Sequence, residues 1–186
     1  MNRRGIDDKN ILDRFCIDFC GVIEKHCEYI VVSGFVVIAS GRTRGTEDID
    51  IIIERIGKDR FVKLHNALTK KGFVCIQSDD PEEIYGYVKD KLSVRYTYED
   101  KPLPEIELKM SKDELDEYQL KTKTKLPLTG LDIWFSSVNM NIAFKEELLK
   151  TDKDIEDAKY LRTVYDEEID EKEINKIKAM IRRYRL

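Results

Sequence analysis

The stretch that decides the fold reads Ser33-Gly34-Phe35-Val36-Val37-Ile38-Ala39-Ser40-Gly41-Arg42-Thr43-Arg44-Gly45-Thr46-Glu47-Asp48-Ile49-Asp50-Ile51-Ile52-Ile53-Glu54. Its second half predicts an isoleucine-rich strand over 48–54. Side chains on a strand alternate faces, so Asp48 and Asp50 point the same way. Two carboxylates placed side by side repel unless a cation lies between them. Magnesium prefers such hard oxygen ligands and completes its shell with waters and phosphates. Two metals held this way could stabilise both the attacking and the leaving oxygen of a phosphoryl-type transfer.

An Asp-x-Asp pair alone is a weak signal, because paired acids at a strand end are usually just solvated. The lead-in strengthens it. A buried strand is predicted over 29–33 and ends in Ser33-Gly34, where glycine lets the backbone approach a ligand closely. A short helix over 35–40 would offer free N–H groups and a positive dipole end to phosphate. The polar loop 41–47 carries Arg42 and Arg44, which could pair with phosphate oxygens. The alternative is that both arginines solvate a turn.

Upstream, Ile11, Leu12, Phe15, Cys16, Phe19, Val22 and Ile23 recur at helical spacing and predict a helix over 9–27. Downstream the pattern predicts a helix over 58–71 closed by Gly72, a strand over 73–77, and a helix from Pro81 to about residue 91. A hairpin follows, with strands over 93–98 and 105–110 and a turn over 99–104. Residues 111–130 are lysine-rich and read as a helical or mobile excursion. A last strand is predicted over 131–135, with the lone Trp134 in the core. Helices are then predicted over 138–149, 152–165 and 170–184, the last with a capping-box-like start at Asp170 and Glu173. The fold class is α+β: a mixed β-sheet with flanking helices over 1–136, then a helical segment over 137–186 packed on it as one compact unit.

Hydrophobic residues make up 41% of the 186, enough for a proper core, and charged residues make up 38%, which points to a soluble globular chain. The net charge of −4 argues against a sequence-independent nucleic-acid binder. A local basic patch exists at Lys176, Lys178, Arg182, Arg183 and Arg185, read either as a solvated helix face or as a contact surface. The charged start is no signal peptide and no apolar run approaches a membrane span, so a cytoplasmic protein without a membrane partner is expected. Cys16, Cys20, Cys27 and Cys75 include no Cys-x-x-Cys pair and are expected to be buried thiols. His65 reads as a surface or satisfied residue. P-loop and dinucleotide fingerprints are missing.

The order Ser33-Gly34, a helix, a Gly/Arg/Thr loop, then Asp48-Ile49-Asp50 on an apolar strand resembles the nucleotidyltransferase superfamily, the polymerase-β-like fold. Within it the chain looks like prokaryotic stand-alone AbiEii-type nucleotidyltransferases. The resemblance implies that Ser33 and Gly34 contact a triphosphate, with Ser33 standing where the family often has glycine. It implies that Asp48 and Asp50 bind two magnesium ions. It also implies a third carboxylate on a neighbouring strand, for which Glu105 and Glu107 are candidates and Glu107 is favoured, being centred in the apolar strand. The run from Ala143 through Lys145 to Lys153, Asp154 and Asp157 resembles the family's later helices. There Lys145 would reach the triphosphate, and Lys153, Asp154 and Asp157 would line the cleft; i, i+4 surface pairs are the alternative. The implied activity moves an NMP from an NTP to a hydroxyl on RNA, protein or a small molecule. A toxin role with an antitoxin-like protein partner is implied too. The rival reading is a catalytically inactive member that binds nucleotide, RNA or a protein.

Overall fold

In β2 (Asp48–Ile53), Ile49, Ile51 and Ile53 are fully buried, while Asp48 is exposed and Asp50 half-buried. That alternation follows from a strand that lays one face on a core and leaves the other for chemistry. The structure is a computed structural model and describes residues 9–46 and 48–186. The first eight residues, with the charged start read above, and Glu47 at the end of the polar loop lie outside the described residues.

On one side of β2, β1 (Tyr29–Val32) runs antiparallel, and on the other β5 (Lys101–Met110) runs parallel. Beyond β5 lie β4 (Val94–Tyr98) and then β3 (Phe73–Cys75), both antiparallel to their neighbours, giving the order β1-β2-β5-β4-β3. The mixed sheet expected from the sequence is therefore present, with flanking helices. The core face carries α1 (Ile11–Ile23), α2 (Gly34–Ala39), α3 (Lys58–Lys70) and α4 (Pro81–Lys89). α1 starts on a reciprocal cap: Asp13 N–H donates to Asn10 Oδ1 at 2.8 Å, and Asn10 N–H donates to Asp13 Oδ2 at 3.0 Å. Truncating a fully buried residue such as Ile51 to alanine costs about 2–5 kcal/mol.

The opposite face is only partly covered. Ile30, Val32 and Ile52 pack there against Leu120 of α5 (Glu114–Lys121), which Asp113 caps. α6 (Val138–Phe144), α7 (Asp152–Val164) and α8 (Glu171–Arg185) complete the chain, and Leu161, Ile174, Ile177 and Ile181 join the same apolar cluster as Phe35 and Val37. All four cysteines are buried and free. His65 is buried and its Nδ1 lies 2.9 Å from the Tyr96 hydroxyl.

Several expectations are corrected. α1 stops at Ile23, where the backbone closes in a tight turn to enter β1. β5 begins at Lys101, because Tyr98 pairs directly with Lys101 and the turn needs only two residues. Residues 131–135 are no sheet strand: Phe135 makes isolated bridges to Val31 and Thr124, so the segment merely lines the outer edge of β1. Trp134 is half-buried beneath the ammonium groups of Lys123 and Lys125. The helix predicted over 138–149 changes pitch at Lys145 into a π-helical turn that ends in left-handed Lys150. The basic patch is mostly spent within the fold. Lys178 reaches Glu146 at 2.6 Å, Arg182 reaches Glu147 at 3.0 Å, and Arg185 reaches Asp116 at 2.7 Å. Among the described residues no helix is long and apolar enough to cross a membrane.

Candidate active site

The parallel register of β2 and β5 places Asp48 opposite Glu105 and Asp50 opposite Glu107. Four carboxylates thus share the open face. They are not equivalent. Arg95 of β4 lies 3.7 Å from Glu105, whereas no cationic side chain pairs with Glu107 among the described residues. Lys109, two residues further along the same face, approaches Asp50 Oδ1 to 3.8 Å.

The Asp50 carboxyl is held above the ordinary carboxylate range. Burial is the largest cause; Lys109 pulls it back, Glu107 pushes it up, a hydrogen bond from the Ser33 hydroxyl lowers it, and Asp48 adds further upward push. This donor set is hard, oxygen-only and excessively negative, and a lysine supplies positive charge beside it. That chemistry fits a divalent cation of the magnesium type. Among the described residues no three His, Cys, Asp or Glu side chains converge as a metal-binding group, so the remaining ligands of such an ion would be waters and phosphates.

Ser33 joins β1 to α2 with φ 66° and ψ −137°. Such a backbone suits glycine and strains any other residue. The serine hydroxyl bonds Asp50. Gly34 follows, and a Cβ there would lie 2.9 Å from an Arg44 guanidinium nitrogen. Glycine at this position leaves room for the Arg44 guanidinium beside the start of α2.

Arg42 and Arg44 leave the loop and converge on Asp157 of α7, each bonding a different carboxylate oxygen. Lys145 reaches the same carboxylate at 2.9 Å and Asp154 at 3.4 Å. Asp157 is fully buried and Lys145 is 1% exposed, so three cations surround one buried anion. Arg44 Nε is buried and has no hydrogen-bond partner among the described residues. A buried donor of this kind costs free energy until an acceptor meets it.

No protein-family model matches the chain, and no curated protein matches it. Solved structures do. A crystal structure of ANT(2")-Ia in complex with adenylyl-2"-tobramycin superposes with a TM-score of 0.55 at 16% identity, over 94% of this chain and 98% of that one. The solution structure of the antibiotic-resistance factor ANT(2'')-Ia gives 0.54 at 13% identity, over 92% and 91%. An antigenic nucleotidyltransferase-like protein from Paracoccidioides brasiliensis gives 0.53 at 15% identity, over 92% and 88%. The chain has the nucleotidyltransferase fold.

On this nucleotidyltransferase sheet the predicted residues fall into two neighbouring groups. Asp48, Asp50 and Glu107 share the open face with Ser33 at its edge. Arg42, Arg44, Lys145, Asp154 and Asp157 form the cationic cluster, with Gly34 beneath Arg44. Lys153 is exposed and joins only through its backbone carbonyl, which accepts from Arg42 at 3.5 Å. The surface pairing of Lys153 with Asp157 is not formed, because Asp157 faces inward. Sequence reasoning passed over Lys109, although Glu107-x-Lys109 has the same two-residue spacing that singled out the aspartates. It also missed that Ser33 carries backbone strain.

Proposed function

We propose that this chain is a magnesium-dependent nucleotidyltransferase that moves an NMP from an NTP to a hydroxyl group on a small acceptor and releases pyrophosphate. The observation that carries the reading is the register of Asp50 against Glu107, with Asp48 two residues away and Ser33-Gly34 at the adjoining strand end. Asp48, Asp50 and Glu107 would hold the metal, which would supply positive charge against the phosphate oxygens. Arg44, whose guanidinium lies beside Gly34, would donate its orphaned Nε–H to a triphosphate oxygen. Arg42 and Lys145, with Asp154 and Asp157 fixing them, would hold the surrounding positive field. Catalysis on this reading is positioning and charge neutralisation. The 137–186 segment is then part of the site, since it supplies Lys145 and Asp157.

A small acceptor is favoured by the ligand-sized cavity beside Asp50 and by the adenylylated tobramycin in the ANT(2")-Ia complex. An AbiEii-like toxin with RNA or protein as acceptor, opposed by an antitoxin-like partner, would use the same chemistry. Growth arrest that disappears in Asp48→Ala would mark it. The test of the main reading is calorimetric titration of each common NTP with magnesium and with EDTA, on wild type and on Asp48→Ala/Asp50→Ala. Magnesium-dependent binding lost in the double variant supports it. Binding that ignores both EDTA and the substitutions overturns the site.

A further inference from the structure

A cavity of about 370 Å³ opens on the carboxylate face between the sheet, α5 and α6. Its volume falls within the range of small-ligand pockets, roughly 300–1,000 Å³. Asp50, Ser33, Lys109 and Lys145 line one end, but Gly34, Arg42, Arg44, Asp48 and Glu107 do not line it at all. Ser33, Asp50 and Lys145 therefore belong both to the triphosphate seat and to this end of the cavity, while the rest of the cavity extends away from Gly34, Arg42 and Arg44. The part beyond that shared end is where the second substrate has room.

Its walls have a definite chemistry. Met140, Phe144 and Leu148 supply an apolar side. The charged lining is dominated by cations: Lys91, Lys109, Lys112, Lys145 and Arg185 against Asp50 and Asp116. Most of these are already matched, Lys109 by Asp50, Lys145 by Asp154 and Asp157, and Arg185 by Asp113 and Asp116. Lys91 and Lys112 are exposed and have no carboxylate partner among the described residues. Asp50 pairs with Glu107 in the β2–β5 register, and Lys112 lies two residues beyond the end of β5. The unpaired charge of Lys112 thus sits past the strand end, where the cavity's other acid, Asp116, is already matched by Arg185.

We infer that this cavity seats the acceptor, and that the acceptor is a small anionic amphiphile: a hydroxyl at the Asp50 end, an apolar body against Phe144, and an anionic group at Lys91 and Lys112. The inference rests on the nucleotidyltransferase reading for its chemistry. The acceptor hydroxyl oxygen bonds to the α-phosphorus of the NTP. The bond from that phosphorus to the bridging oxygen breaks, pyrophosphate leaves with the electron pair, and the hydroxyl proton passes to solvent. Polyamino acceptors are disfavoured, because they would set ammonium groups against unpaired lysines.

The experiment uses the full chain with magnesium, α-labelled NTP and three matched series of increasing length: ω-hydroxyalkanoates, α,ω-diols and ω-amino alcohols. Labelled product is read as kcat/KM, and acceptor binding is read separately by calorimetry. The hydroxyalkanoates are expected to exceed the amino alcohols by about tenfold or more, the equivalent of about 1.4 kcal/mol. That preference should collapse in Lys91→Glu/Lys112→Glu, while affinity for magnesium–NTP stays unchanged. Equal use of the amino alcohols, or a preference that survives charge reversal, overturns the inference. If no acceptor is labelled, the calorimetric arm decides. Hydroxyalkanoate binding lost on charge reversal keeps the anionic site and sinks the transfer chemistry, whereas no binding in any series sinks the site.

Discussion

Asp50 stands directly across the parallel β2–β5 pair from Glu107, with Lys109 approaching it from the same strand at 3.8 Å. This places two acids in register on a half-buried face, where the Glu107 charge opposes the ionisation of Asp50.

Asp50→Asn is expected to abolish nucleotidyl transfer without lowering stability. An acid whose carboxyl is raised on folding holds its proton more tightly when folded. It therefore detracts from stability once the pH exceeds its unfolded value, and that cost is complete above its folded value. The variant removes the cost. Thermal melts at neutral pH should show an equal or higher Tm, and a clear drop would overturn the account of a carboxyl raised chiefly by burial.

Ser33→Gly should stabilise the fold and weaken the site. Relief of the positive φ is worth roughly 1–3 kcal/mol. The same change deletes the hydroxyl that bonds Asp50. Urea melts and magnesium–NTP titration on one preparation should move in opposite directions.

Gly34→Ala brings a methyl to 2.9 Å from the Arg44 guanidinium, which must then shift. The backbone there is ordinary, so the effect is steric and local. We expect KM for the NTP to rise about tenfold, or about 1.4 kcal/mol, with a smaller change in kcat. Arg44→Ala/Gly34→Ala should cost little more than Arg44→Ala alone, because the two changes remove the same contact.

Asp157→Asn leaves Arg42, Arg44 and Lys145 around a neutral amide. Breaking a buried ion pair from one side costs about 3–5 kcal/mol. Denaturant unfolding should show that loss, and Asp154→Asn, on the more exposed partner, should show much less.

Glu146 ties the π-helical turn to α7 and α8 through Arg162 at 2.8 Å and Lys178 at 2.6 Å. Burial raises its carboxyl, but the hydrogen bonds and charges of Arg162 and Lys178 outweigh that and hold it below its ordinary 4.5. A lowered acid contributes stability that is present above its unfolded value and lost as the pH falls through its folded one. Glu146→Gln should therefore destabilise the protein at pH 7 and cost nothing once the pH lies below both values. Equal destabilisation across that range in acid-dependent urea melts would sink the assignment.

Much of this site was legible in the sequence because it follows the two-residue period of a strand. Asp48 and Asp50 are paired by that period alone, and the same period on β5 offers Glu105 and Glu107. What period cannot supply is registry between strands and the claims of a third strand. Arg95 on β4 pairs with Glu105, and only the assembled sheet reveals it. The 131–135 segment shows the converse failure: Leu131, Ile133 and Phe135 alternate inward like strand residues, yet the segment finds only isolated bridges on β1. The destination of Arg42 and Arg44 was equally hidden, since Asp157 lies more than a hundred residues away. The basic patch of α8 misled for the same reason, because its carboxylate partners sit on distant elements.

The six residues of β2 carry both the apolar core and the acidic site, on alternating positions. A slip of one residue against β1 or β5 would exchange the two faces, burying Asp48 and Asp50 and turning isoleucines to solvent. A chain threaded in that way loses its folding energy together with its acids. A stable but miswired form of this protein is excluded by its own strand, and an inactive preparation that melts like the native one must be faulty somewhere other than in the pairing of β2.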